Sequence, residues 1–521
     1  MGKKNTPERI EGSGSITPSL SVSEASTVDK IVVKGRIGER QRESRALPPE
    51  GQVARYVLTS AQNNTHVNET VWLNVMALAE HYSAELMVGT FSYNKGAYGS
   101  KSVKRGTTSW LDRHDDLWYD PQLTEFIVDE TIQLAPGLVW AGELNIIPTA
   151  PDPLSNLESY HGRDSNIIPH AQHAMASVAS LDGEAAKLNY TTGTVTQRNY
   201  IQKKAGLKAE RYHGYGAVLV EVCSDGSWFV RQLEAAQDGS IRDLLLKAQD
   251  GEVTDGHRIE CISWGDVHVR VADPMVARLA WGPGGMLDSL YPHMQVLHDV
   301  IDFRSRNHHD AKDPLLNFQK WKAQQESVED ETREAMQFML QKAVRPGIAT
   351  YVAPSNHHEA MAKWLKETDW RTDPVNAKFY HEAWLALLKG EQDIFMWACK
   401  RFGISNEQDF QEASTLHFLH DDESLVVAKH AYGGIEVGMH GHLGPNGARG
   451  NARAFARLGR RVTIGHMHTA CIMLGVYVAG TSSLMRLGYN RGPSSWSHSH
   501  VIHYPEGTRT MVTMWKDRWR A

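Results

Sequence analysis

Cysteine is nearly absent: Cys223, Cys261, Cys399 and Cys471 are the only four in 521 residues, and no two stand at a paired spacing. That excludes a disulfide framework or a thiolate zinc ribbon and suits a reducing cytoplasm. Long apolar runs are missing too, so no segment reads as a membrane span. The opening Met1-Gly2-Lys3-Lys4-Asn5-Thr6 lacks the apolar stretch of a signal peptide. There is no excess of basic charge either. The formal net charge is -6, which gives no global attraction to nucleic acid, so any DNA contact must rest on local basic patches or bound cations. With 41% hydrophobic and 22% charged residues, the composition is that of a soluble globular protein. The chain is too long for one ordinary core and predicts two or more domains.

Residues 1–52 are rich in Ser, Gly, Pro and alternating charge and predict a flexible N-terminal arm. From Val53 the pattern changes. Ala54 to Thr59 predicts a strand; Val67, Val71, Trp72, Val75, Leu78, Ala79 and Tyr82 fall at helical spacing; Glu85 to Phe91 returns as a strand. Strand, helix, strand implies an α/β layer with a right-handed crossover. Further strands are expected over 137–147, 186–196 and 216–233, the last folded back at the hairpin signal Asp225-Gly226. These elements predict a separate N-terminal α/β domain over 53–255, whose sequence names no activity. A second unit, 256–521, opens with a strand from Arg258 to Trp264. It carries a long polar helix between about Pro314 and Ala343, helical patterns over 357–366, 375–389 and 391–402, and a closing run of short strands. That order predicts a layered αββα sandwich.

Histidine is plentiful, 26 residues, and it crowds into the second unit in short motifs. In order these are Asp266-Val267-His268, His298-Asp299-Val300-Ile301-Asp302, Asn356-His357, Met439-His440-Gly441-His442 and Gly465-His466-Met467-His468. Most follow a run with strand character, and residues at strand ends in an α/β sheet converge on one crevice. Carboxylate, imidazole and amide oxygen are ligand types for manganese, iron or zinc rather than for a soft thiolate site. Asp-x-His and His-x-His just past a strand end can turn both side chains toward one ion, and a carboxylate between them can bridge two. Two ions about 3.5–4 Å apart clamp the attacking and leaving oxygens of a phosphoryl displacement and lower the pKa of a bound water. Each motif alone arises by chance; five in order do not. One decoy competes: Asn307-His308-His309-Asp310 repeats the Asn-His-His-acid pattern of Asn356 to Glu359. It stands five residues beyond Asp302, too close for a new strand end. Asn356 and His357 are therefore preferred, with His308 left at most a contact with substrate.

The order and residue types resemble the calcineurin-like metallophosphoesterase superfamily over roughly residues 257–521. The resemblance implies that Asp266, His268 and His468 hold a first metal, that Asn356, His440 and His466 hold a second, and that Asp299 bridges them. It makes His357 the catalytic histidine, which contacts the scissile phosphate and protonates the leaving oxygen. It favours His440 over His442 as ligand and keeps His442 in reserve as a substrate contact. Three positions depart from the family pattern: His298 and Ser355 stand where glycine is usual, and His358 stands where an acid usually follows the catalytic histidine, with Glu359 one place later. The last leaves open which group orients His357. Within the superfamily, Gly438 to Gly450 and Tyr489 to Trp496 resemble SbcD-type repair nucleases and the phage early nucleases that degrade host DNA. Their glycine-rich loops carry Arg449, Arg453 and Arg491, which can approach a phosphate backbone closely.

The resemblance thus implies a two-metal DNA phosphodiesterase with two divalent ions, manganese ahead of magnesium, iron or zinc, since imidazole suits magnesium poorly. One alternative is a phosphomonoesterase or cyclic-nucleotide phosphodiesterase on the same ligands, which a closed pocket would favour. Another is a non-enzymatic, metal-stabilised phage structural protein, which has no need of the extra histidine. DNA is the expected partner, with a homo-oligomeric state, no membrane association and a cytoplasmic location (the host's, for a phage-encoded chain).

Overall fold

The first periodic segment folds as its pattern requires. Strand β1 (Val53–Gln62) leads to helix α1 (Glu69–His81), capped by the Asn68 side chain accepting from Val71 N, and returns as β2 (Glu85–Phe91). The two strands pair in parallel. A hairpin of β3 (Gly216–Cys223) and β4 (Trp228–Glu234) completes a four-stranded sheet in the order β4-β3-β1-β2. Its turn puts Gly226 at a φ of 75°, which only glycine adopts freely. The structure, a computed structural model, describes residues 31–33, 42–93, 118–307, 313–403, 415–488 and 490–521. Strand pairing starts ahead of Val53: Arg42–Ser44 runs parallel to Thr131–Ala135 and antiparallel to Ile31–Val33. Part of the expected arm is therefore the edge of a sheet; the rest of residues 1–52 up to Arg42 lies outside the described residues.

In the second unit, β5 (Cys261–Ser263), β6 (Met294–Leu297), β7 (Ala349–Val352) and β8 (Leu416–Phe418) run parallel. Two C-terminal strands, β12 (Ser499–His503) and β13 (Arg509–Thr513), extend this sheet antiparallel in the order β8-β7-β6-β5-β12-β13. Period-2 alternation divides their side chains between two cores. Ile262, Leu297 and Val352 join helix residues such as Trp281, Met336, Leu365 and Phe379 on one face. Cys261, Val296 and Ala353 meet Val427, Ile435 and Val437 on the other. That second layer contains β9 (Ile435–Glu436), β10 (Arg461–Ile464) and β11 (Val476–Val478), all parallel, with Phe455 of the short helix Ala452–Ala456 packed on Val462 and Ile464.

This second layer does not stop at residue 256. Cys471–Met473 pairs antiparallel with Met175–Val178, so one sheet of twelve strands draws on both halves of the chain. Tyr56, Leu58, Trp140 and Ile167 share a core with Ile472, Tyr477, Val501 and Met511. A second cluster, built on Val71, Trp72, Val75 and Leu78 of α1, belongs to the N-terminal half alone. Residues 256–521 expressed by themselves would expose the shared core to water. We expect that fragment to be insoluble or rapidly cleaved by trypsin, and a monodisperse, protease-resistant fragment would contradict the shared core.

The long polar helix expected between Pro314 and Ala343 is two helices. Helix α2 (Pro314–Lys322) ends where Gln324 turns into the left-handed region, φ 54°. Helix α3 (Val328–Phe338) starts at a Ser327 cap, with Glu329, Asp330 and Glu331 in its first turn, where acids suit the helix dipole. It continues into a π-helical turn, Met339–Ala343. Charged residues carry little periodic signal, so the break left no mark in the hydrophobic pattern. Among the described residues, no helix is long and apolar enough to cross a membrane.

Candidate functional site

The carboxyl ends of β5, β6, β7, β9 and β10 deliver the five motifs to one place. The β5 end carries Asp266 and His268, the β6 end Asp299, and the β7 end leads to Asn356 and His357 in the first turn of helix α4 (Asn356–Glu367). The β9 end leads to His440, and β10 leads to His466 and His468. Asp266, His268, Asp299, His440 and His468 are buried. Asp266 Oδ2 is 2.9 Å from His468 Nε2, and His268 Nε2 is 3.1 Å from the same nitrogen. Asp299 Oδ2 is 3.1 Å from His440 Nε2 and 3.8 Å from both His268 Nε2 and His357 Nε2.

Three overlapping sets of ligand atoms result: Asp266, His268 and His468; His268, Asp299 and His357; Asp299, His440 and His466. Each set can hold a metal ion. Asp299 belongs to two of them. Asp299 Oδ1 and Asn356 Oδ1 are buried without a hydrogen-bond partner among the described residues, a costly condition for an oxygen that no cation or donor meets. Converging imidazole nitrogens and carboxylate oxygens fit a divalent cation of borderline hardness.

The backbone is bent to make this possible. His268, Asp299, His466 and His468 have φ values of 46°, 44°, 70° and 55°, a region that costs a residue with a Cβ about 1–2 kcal/mol. Strain of this kind collects at functional sites. Hydrogen bonds hold it here: His268 N donates to Asp299 O at 2.7 Å, and His466 N donates to Asp266 Oδ1 at 3.1 Å. Gly465 admits no side chain, because a Cβ would stand 2.3 Å from Asp266 Oδ1.

Charge follows from burial and crowding. Burial pushes His268 down to about 3 and His466 to about 4, so both rings are neutral near pH 7, the form a metal ligand needs. Burial would raise Asp299, yet His440 and His357 overcome it and hold the carboxyl well below the usual carboxylate range. Burial would lower His357, and the Asp299 and Asp302 carboxylates raise it above the ordinary histidine value instead. Asp302 itself is raised to about 6, chiefly by burial.

His357 Nδ1 donates to the backbone carbonyl of Asp302 at 2.9 Å, with the Asp302 carboxylate 3.7 Å away. Asp302 is thus the group that orients His357. Its signal in the sequence was its place three residues after Asp299. Two of the three departures from the resembled pattern have a structural explanation. Ser355 caps α4 with its hydroxyl accepting from His358 N at 3.4 Å. His358 stacks on Phe395, ring centroids 4.0 Å apart. Glu359 holds His442 Nε2 at 3.0 Å. His298, the third departure, is buried against Gly465, and neither ring nitrogen has a hydrogen-bond partner among the described residues.

Protein A1 of Escherichia phage T5 is 34% identical to this chain over 480 residues, 88% of this chain and 82% of that protein. The chain belongs to the protein A1 family. No protein-family model matches it, and no solved structure does. A match of that extent takes in both halves of the twelve-stranded sheet, so the N-terminal half is part of what A1-family members share. The weaker sequence assignments fare unevenly in this A1-family fold. His442 lies beside His440 and His466, ring centroids 5.5 and 6.1 Å apart, but outside all three ligand sets. Arg449 is exposed in a loop that bridges back to Leu443. His308 lies outside the described residues.

Proposed function

We propose that this A1-family chain is a two-metal phosphodiesterase that hydrolyses DNA, built on an αββα metallophosphoesterase sandwich over residues 256–521. The observation that carries the reading is Asp299, a buried carboxylate whose Oδ2 lies 3.8 Å from His268 Nε2 of one ligand set and 3.1 Å from His440 Nε2 of another. The packing of two sheets between helix layers supports the αββα arrangement. Bound divalent ions, manganese first, supply an activated water and neutralise charge on the phosphate. Asp266, His268 and His468 would hold one ion and Asn356, His440 and His466 the other, with Asp299 available to both.

His357 does the proton work. Its Nδ1 hydrogen is fixed on the Asp302 carbonyl, which leaves Nε2 as the nitrogen that carries the transferable proton. Nearby carboxylates favour the protonated ring, and Nε2–H donates to the leaving oxygen. With a fifth of its side chain exposed, His357 is more open than Asp266, His268, Asp299, His440 and His468, as a residue that must touch substrate has to be. This is also what disfavours a purely structural metal site, which has no use for such a histidine.

The test is incubation of purified full-length protein with plasmid DNA, linear DNA and bis(p-nitrophenyl) phosphate. We expect cleavage that is abolished by EDTA and restored by manganese more strongly than by magnesium. Undiminished cleavage after exhaustive chelation would refute the metal mechanism.

A further inference from the structure

Two surface stretches of this acidic chain are strongly basic. Residues 198–211 hold five basic residues against one acid, Glu210, and residues 449–461 hold five arginines and no acid, in a protein of net charge -6. Surfaces ordinarily intersperse the two signs. The stretches belong to opposite halves of the chain, yet they meet: Arg211 Nη2 donates to the carbonyl of Gly459 at 3.1 Å. The helix Lys204–Glu210 buries Gly206, and Lys204, Lys208 and Arg211, at i, i+4 and i+7, share its exposed stripe. The helix Ala452–Ala456 buries Ala452 and Phe455 and leaves Arg453 and Arg457, one turn apart, on its exposed side.

Few of these cations are committed to the fold. Lys204, Lys208, Arg449 and Arg457 form no ion pair among the described residues, and Arg453, 67% exposed, stands 3.7 Å from Asp152. Arg461 is bound to Glu234 at 2.9 Å and takes no part. The row also reaches the metal cluster. Gly450 N donates to His442 O at 2.9 Å, so Arg449 stands on the loop that leaves His440 and His442. Arg453, Arg457, Arg211, Lys208 and Lys204 follow in that order along the surface. Unpaired cations in a row fit the phosphates of a nucleic-acid backbone. Tyr200 and Phe455, the aromatic rings within the two stretches, are buried, so neither offers a platform on which an unpaired base could stack. Contact through phosphates alone favours a duplex, which carries a charge about every 1.7 Å of its axis against about 3.4 Å for one strand.

We propose that this row binds the backbone of duplex DNA beside the metal centre, with the N-terminal half supplying its outer end through Lys204 and Lys208. The inference rests on the phosphodiesterase reading and adds double-stranded DNA as the substrate and a role for the N-terminal half. The test compares full-length wild type with the double variant Lys204→Glu/Lys208→Glu and with Arg457→Ala. Lys378→Glu/Lys389→Glu is the control. It makes the same change in net charge at exposed lysines on and next to the helix Ala377–Leu388, which packs in the helix layer of the other sheet. A fluorescent blunt duplex and a single strand of equal length are titrated by anisotropy in EDTA over a series of salt concentrations. Hydrolysis of bis(p-nitrophenyl) phosphate is measured with manganese. Lys204→Glu/Lys208→Glu is expected to bind duplex at least about tenfold more weakly, with the slope of log affinity against log salt shallower by about two. Arg457→Ala should weaken duplex binding and flatten the slope by about one. The control pair should lose less than about threefold, because salt screens charges away from the contact. Diester hydrolysis within about twofold of wild type shows that a variant is folded, since a small ester does not reach the row. Wild type that fails to bind duplex would overturn the proposal. So would unchanged duplex affinity and slope in both row variants, an equal loss in the control, or a loss confined to the single strand. If wild type hydrolyses neither diester nor DNA, the phosphodiesterase reading fails separately, while the binding titration still reports on the row.

Discussion

Replacing His357 by alanine is expected to lower DNA cleavage by about 10²–10⁴-fold, the range of a positioned general acid, with bound metal unchanged. His357 Nε2 is 3.8 Å from Asp299 Oδ2, and its Nδ1 is tied to the Asp302 carbonyl. Ligand sets on Asp266, His268 and His468, and on Asp299, His440 and His466, persist without it. The substitution therefore removes the proton donor and leaves the cradle. Bis(p-nitrophenyl) phosphate, whose leaving group needs little protonation, should lose much less rate than DNA. Elemental analysis and the two rates decide the matter together. Loss of metal along with rate would make His357 a ligand, and near-normal DNA cleavage would move the catalytic histidine elsewhere. His308→Ala serves as the control and is expected to cost far less.

Asp299→Ala is expected to abolish cleavage and metal binding together. Asp299 is common to two ligand sets and lies within 3.1 Å of His440 and 3.8 Å of His268. Removing its carboxylate takes a ligand and a negative charge from the space between the proposed ions. What remains is Asp266 as the one carboxylate left among the assigned ligands, too little negative charge for two cations. Metal that binds only the folded state stabilises it by about 2.7 kcal/mol at a concentration a hundred times its Kd. Wild type should accordingly show a manganese-dependent rise in melting temperature, and Asp299→Ala should show none. A variant that still gains stability from manganese and still cuts DNA would show that Asp299 is not shared between ions. Asp302→Asn offers a milder contrast: its backbone carbonyl still accepts from His357, so metal content should stay and only the rate should fall.

The sequence alone located the cluster because its chemistry sits in short motifs at strand ends. Asp266-Val267-His268, Asn356-His357 and Gly465-His466-Met467-His468 each follow an apolar run, and a parallel sheet brings the ends of such runs to one edge. The preference for Asn356 over Asn307 rested on the strand before it, and β7 lies where that reasoning needs it. Periodicity also placed α1, β2 and the β3–β4 hairpin, whose patterns are local. Three things were not local and were decided only by tertiary structure. The left-handed backbone at His268, Asp299, His466 and His468 has no residue signature, since none is glycine and contacts between strands enforce it. The orientation of His357 by a backbone carbonyl carries no side-chain identity to read. The pairing of Met175–Val178 with Cys471–Met473 joins segments almost three hundred positions apart. Each of those strands shows an ordinary alternation that fits many partners, so which edge it meets is set by the packing of the whole chain rather than by its own residues.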